Sequence, residues 1–146
     1  MSWELDYKNK LRSAEEALLC VRSGMRVYIQ CGCAEPETLV EALMRRAPYV
    51  EDVEIVHMMT MGAAPYVAPE MAGHFRHNAM FIGGNVREAI NEGRADYTPI
   101  YLSEIEGLFE SGAMPIDVAL LELSPPDSHG FCSFGGGVDT SLTAAK

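Results

Sequence analysis

The segment Ser124-Pro-Pro-Asp-Ser-His-Gly-Phe-Cys-Ser-Phe-Gly-Gly-Gly137 holds the densest chemistry in the sequence. Pro125 and Pro126 fix its entry, Asp127 and Ser128 favour turn or cap geometry, and Gly130 and Gly135 to Gly137 allow backbone to approach a ligand closely. The same residues equally describe a well-made turn, and residue types alone do not separate the two. His129 and Ser133 lie too close in sequence to specify a base and a nucleophile without a third orienting group. Cys31-Gly-Cys33 invites a metal or redox reading, but zinc sites add a second ligand pair, and none of His57, His74, His77 and His129 stands at a partner spacing. No metal site is therefore expected. Small residues in a tight loop are the better account: Gly32, Cys33 and Ala34 leave room for a small ligand beside backbone N–H groups at a helix start, which suits a carboxylate. Gly83-Gly-Asn-Val-Arg87 has neither the spacing of a dinucleotide loop nor the lysine of a P-loop. His74-Phe-Arg-His77 puts two imidazoles on one helical turn, where they read as surface or buffering groups.

These residues must be positioned by regular elements. Ser13-Ala-Glu-Glu16 is a capping box, and Ala14, Ala17, Leu18 and Val21 continue it as an apolar stripe that Gly24 stops. Met25-Arg-Val-Tyr-Ile-Gln30 alternates as a strand, Pro36 opens a helix carrying Leu39, Val40, Leu43 and Met44, and residues 53–59 form a second strand. A long loop with a short helix is expected over 60–77, then a strand at 79–82 and a helix capped by Asn85 with Glu88 three residues on. Residues 96–102 hold Pro99 and read as an edge strand, Ser103-Glu-Ile-Glu106 as a capping box, and 116–123 as the strongest strand. Strands alternating with helices predict an α/β fold, a largely parallel sheet with helices on both faces, in one domain over residues 1–146. Ligands of such sheets sit at the carboxyl ends of the strands. A last helix starts near Asp139 and is cut short by Lys146, so the polypeptide is expected to be a truncated piece of a larger protein.

Composition narrows the partners. Eleven Lys+Arg against 21 Asp+Glu give a formal charge of -10, so no field draws in nucleic acid or an anionic membrane. No apolar run approaches the roughly 20 residues of a membrane span, and the start has no secretory pattern, so a cytoplasmic setting with reduced thiols is expected.

Ser13-Ala-Glu-Glu-Ala17, Ser23-Gly-Met-Arg-Val27, Ala34-Glu-Pro36, Gly93-Arg-Ala-Asp96 with Thr98-Pro-Ile100, and the run through Ser124-Pro-Pro-Asp-Ser-His-Gly-Phe-Cys-Ser-Phe-Gly135 together resemble the amino-terminal part of the acetyl-CoA hydrolase/transferase family, nearest to its 4-hydroxybutyrate and butyrate:acetate CoA-transferases. The resemblance implies transfer of CoA between an acyl-CoA and a short-chain carboxylate through a glutamyl-CoA thioester, with coenzyme A as substrate rather than a permanently bound cofactor. It also implies that the catalytic glutamate belongs to a carboxy-terminal domain with no counterpart here, so no catalytic residue is assigned in this chain. Expected substrate-binding positions are Gly32, Cys33, Ala34 and Glu35 after the first strand and Ser124, Pro125, Asp127, His129 and Gly130 after the last, with Tyr66 and Arg87 as further candidates. Asp127 and His129 equally suit a role tying their loop to its neighbours. A homo-oligomer is expected, and an acyl-CoA hydrolase or a non-catalytic ligand-binding or interaction module are the competing readings.

Overall fold

The computed structural model describes residues 2–146. Its strands are β1 (Arg26–Ile29), β2 (Val53–His57), β3 (Phe75–Ala79), β4 (Asp96–Tyr97) and β5 (Val118–Leu120), in one sheet of order β4-β3-β2-β1-β5 with every neighbouring pair parallel. Helices α1 (Trp3–Lys10), α2 (Ala14–Ala17), α3 (Glu37–Met44), α4 (Arg87–Asn91), α5 (Ile105–Glu110) and α6 (Ser141–Ala144) are interspersed among them. On one face Leu18, Val40, Leu43 and Val86 pack on Val27, Ile29, Val53 and Ile55. On the other, Ile105, Phe109 and Ala144 pack on Tyr28 and Val56. The sheet is thus parallel and covered on both faces as expected, which is why its central strands are apolar almost without interruption.

The winding explains where a ligand can enter. From β1 to β4 the chain steps one way across the sheet, with α3 and α4 on the first face; the return from β4 to β5 carries α5 over the opposite face and sets β5 on the far side of β1. Right-handed crossovers demand this change of face when the direction reverses. The connections leaving β1 and β5 therefore part to opposite faces, opening a crevice between them. Arg26 fastens the other end of the same strands: its guanidinium pairs with Glu54 and donates to the Pro115 carbonyl at 3.0 Å, and its backbone N–H donates to the Asp117 carboxylate at 2.7 Å.

Several expectations need correction. The third strand runs over Phe75–Ala79, not 79–82, so His74-Phe-Arg-His77 is no helical turn: His77 is a fully buried strand residue. Asn85 does not cap α4; its amide donates to Thr60 Oγ1 at 3.1 Å and to the Gly62 carbonyl at 2.9 Å, and Val86 stands at the cap position without a side-chain bond. Ahead of α5 the reach-back comes from Glu104 to the Tyr101 N–H, not from Glu106 to Ser103. The stretch 116–123 pairs only over Val118–Leu120, because it has β1 as its one neighbour in the sheet. Helix α1 was not foreseen, since it has no buried residue and so no apolar stripe to betray it. The Ser13–Glu16 capping box is present, with Ser13 Oγ accepting from the Glu16 N–H at 3.2 Å, although the α-helix it starts tightens into a 3₁₀ turn after Ala17. Among the described residues no helix is long and apolar enough to cross a membrane.

Candidate functional site

Two adjoining clefts open at the carboxyl ends of β1 and β5. The larger, about 660 Å³, lies between the loop after β1 (Gly32, Cys33, Glu35), the start of α3, the Met61-Gly62 turn and Leu121 to Leu123. A second, about 470 Å³, lies between Cys33 and Ala34 on one side and Ser124, Pro125 and Ser133 to Gly136 on the other. Cys33, Glu122 and Leu123 border both.

The walls are held by backbone contacts that the sequence only partly announces. Gln30, the fully buried residue that follows β1, donates from Nε2 to the Gly137 carbonyl at 2.7 Å and accepts at Oε1 from the Glu122 N–H. It thereby clamps both ends of the long connection after β5. Gly137 lies so close that an added Cβ would fall 2.5 Å from Ala34 Cβ and 2.7 Å from Gln30 Nε2, so glycine is required there by space. Across the cleft Glu35, 8% exposed, accepts the Gly62 N–H at 2.6 Å, while the Gly32 N–H donates to the Met59 carbonyl at 2.7 Å. Of the loop's own N–H groups that of Gly32 is thus taken by a backbone carbonyl, and the Glu35 carboxylate is turned to the facing Met61-Gly62 turn. Behind the loop, burial pushes the Cys31 thiol up, away from the thiolate form, and the Tyr28 hydroxyl lies within hydrogen-bond reach of Cys31 Sγ and Thr140 Oγ1. Cys33 is exposed at the cleft.

The structure brings Gly32, Cys33, Ala34 and Glu35 together with Ser124 and Pro125 at the two clefts. Asp127, His129 and Gly130 stand apart, in a turn that Asp127 closes by accepting the His129 N–H at 2.8 Å and the Phe131 N–H at 3.0 Å. Both bonds are internal to the turn. Gly130, at φ +86°, is pressed against Trp3 of α1, where a Cβ would meet Cγ at 2.9 Å. Gly130→Ala is expected to cost about 1–2 kcal/mol and to shift the emission of Trp3, the single tryptophan, to the red as the indole is displaced. An unchanged spectrum and melting point would show that this contact anchors nothing. Arg87 is exposed in the first turn of α4 and borders neither cleft.

Tyr66 also lies elsewhere, in the core, with His57 and His77. The two imidazoles stack at 4.1 Å between centroids, and His57 Nε2 is 2.6 Å from the Tyr66 hydroxyl. His77 Nδ1 donates to the Ile55 carbonyl at 2.9 Å, while His57 Nδ1 and His77 Nε2 are buried without partners. The arrangement that leaves no buried N–H unpaired protonates His57 at Nε2, donating to the Tyr66 hydroxyl, whose own O–H donates to Thr60 Oγ1 at 3.4 Å. Burial pushes His77 down to about 4, and burial with the neighbouring His77 holds His57 well below its ordinary value. Gln30 and this cluster are what sequence reasoning missed. The available signal for Gln30 was a polar residue ending a central strand directly before a ligand loop.

The chain is similar to known proteins in sequence and fold. The acetyl-CoA hydrolase/transferase N-terminal domain family matches residues 1–146. The chain is 44% identical over 146 residues to 4-hydroxybutyrate coenzyme A transferase of Clostridium kluyveri, covering all of this chain and 34% of that protein. It is 42% identical over 136 residues to succinyl-CoA:acetate/propanoyl-CoA:succinate CoA transferase of Fasciola hepatica, covering 92% and 28%. The crystal structure of 4-hydroxybutyrate CoA-transferase from Porphyromonas gingivalis superposes with a TM-score of 0.79 at 29% identity, covering 99% of this chain and 32% of that one. The chain spans about a third of the length of the curated relatives it matches. With the family match running over every residue, the chain belongs to the acetyl-CoA hydrolase/transferase N-terminal domain family.

Proposed function

We propose that this chain serves as the amino-terminal domain of a CoA-transferase, moving CoA between an acyl-CoA and a short-chain carboxylic acid of the acetate, butyrate or 4-hydroxybutyrate type. The observation that carries this reading is the crevice between β1 and β5, walled by the loops at 32–36 and 121–125, in a chain of this family. In the reading a carboxylate from outside these residues attacks the thioester to give a mixed anhydride. The released CoA thiolate then attacks the anhydride, leaving a glutamyl-CoA thioester and the free acid, and the acceptor acid reverses both steps. Here the clefts shape and desolvate the acyl tail. CoA's phosphates would be held elsewhere, since the formal charge of -10 offers them no general attraction. The setting is cytoplasmic, in keeping with four free thiols. A carboxy-terminal catalytic domain and a second copy are the proposed partners, and exposed Met61, Phe131, Val138 and Leu142 supply apolar surface for them to cover.

The test incubates the full-length protein with butyryl-CoA and labelled acetate. Labelled acetyl-CoA is expected; free CoA with no labelled thioester would make the protein a hydrolase, and no thioester turnover would end the transferase reading. Titration of the 146-residue chain with CoA alone is expected to show no binding, and micromolar affinity would overturn the proposed division of labour.

A further inference from the structure

Gly83-Gly-Asn85 lies in the connection from β3 to α4 and reaches the turn that walls the larger cleft. Asn85 Nδ2 lies 3.3 Å from the Thr60 carbonyl, 3.1 Å from Thr60 Oγ1 and 2.9 Å from the Gly62 carbonyl, so one half-buried amide holds the backbone on both sides of Met61. Two of these acceptors are carbonyls, which cannot donate, and that fixes which end of the amide faces the turn. Met61 itself is 72% exposed and cannot anchor the turn by packing, so hydrogen bonds to its neighbours set where this wall stands. Glu35 accepts the Gly62 N–H from one side, and Asn85 donates to the Gly62 carbonyl from the other. Asn85 borders neither cleft, and glycine keeps its place open: a Cβ on Gly83 would fall 2.8 Å from Asn85 Oδ1.

Resting on the transferase reading above, we propose that Asn85 is a positioning residue for the acyl tail, acting through the Met61-Gly62 turn, and that Gly83 leaves its amide room to do so. With the donor gone, two carbonyls lose their partner and the turn is free to shift. A displaced wall is felt by the carbons that lie along it, so a four-carbon tail loses contacts that a two-carbon tail never makes.

The test measures kcat/KM of the full-length protein for butyryl-CoA and for acetyl-CoA, with propionate as acceptor. Asn85→Asp keeps the shape of the side chain but sets an oxygen, in place of the donor, against the Thr60 and Gly62 carbonyls. Gly83→Ala leaves the amide intact and pushes it aside. Each is expected to lower the ratio of butyryl-CoA to acetyl-CoA kcat/KM by about fivefold or more, chiefly through a higher KM for butyryl-CoA. A side chain that only supports folding would lower both values together and leave the ratio unmoved. An unchanged ratio in folded Asn85→Asp, or in Gly83→Ala should Asn85→Asp fail to fold, overturns the positioning proposal alone. Absence of transfer from either thioester by the unsubstituted protein overturns the transferase reading and this inference with it.

Discussion

Replacing Gln30 by Leu is expected to destabilise the domain by about 2–4 kcal/mol and to lower kcat/KM of the full-length protein about 100-fold. The side chain is fully buried and its amide holds the Gly137 carbonyl and the Glu122 N–H, at opposite ends of the connection that walls both clefts. Leucine fills a similar volume, so the loss comes from the two backbone groups left without their partner rather than from a cavity. Because Gly137 sits against Ala34 and Glu122 borders both clefts, letting go of either moves the walls, and a displacement near 1 Å at a positioning wall is enough for an effect of that size. Urea unfolding and steady-state kinetics check the two halves separately. A variant that melts within 0.5 kcal/mol of the parent, or one that unfolds earlier yet transfers at the parental rate, would remove Gln30 from the site.

The second large effect is acid sensitivity. His57 and His77 are fully buried and held neutral, His77 with its proton uptake pushed down to about 4 and His57 also well below its ordinary value. Unfolding returns both to about 6.5. The unfolded chain therefore binds protons that the native one refuses, so this contribution to stability is complete above pH 6.5 and is lost as pH falls towards 4. His77 alone accounts for about 3 kcal/mol over that window, and His57 adds to it in the same direction. The urea midpoint measured from pH 7.5 to 4.5 should fall steadily, and His77→Phe should flatten the slope while keeping a ring to stack on His57. A midpoint that holds or rises on acidification would contradict the buried neutral pair.

What the sequence disclosed, and what it hid, follows from the same residues. Arg26 to Ile29 and Val53 to His57 were legible because strands covered on both faces become nearly continuous apolar runs, and Gly24, Gly93 and Gly112, all at positive φ, marked the ends of elements. The third strand was misplaced because a histidine stands where a strand pattern calls for an apolar residue. His77 is accommodated in the core by the Ile55 carbonyl and the stacked His57, both on the adjacent strand and both about twenty residues earlier in the chain. Asn85 was mistaken for a cap because its residue type suits one. Its amide instead spans to the Thr60-Gly62 turn, a tertiary choice with no local trace. The loop after β1 was found at the cleft because small residues between a strand and a helix have few other uses. The turn at Asp127 to Gly130 carries the same residue types away from both clefts, with the Asp127 carboxylate accepting within its own turn.

The position of β5 has a consequence for how the molecule comes into being. Val27 pairs with Val118, so the flank of β1 that faces away from β2 stays bare until residues 118–120 have been made. On a ribosome that releases the amino end first, β1 to β4 can dock while the residues that complete the crevice are still inside the exit tunnel. That pair spans the longest stretch of chain of any in the sheet, so its closure carries the largest loop entropy. Until it happens, the open edge of β1 is the place where a nascent chain would adhere to its neighbours, so the same long-range join that creates a binding crevice also guards the molecule against aggregation.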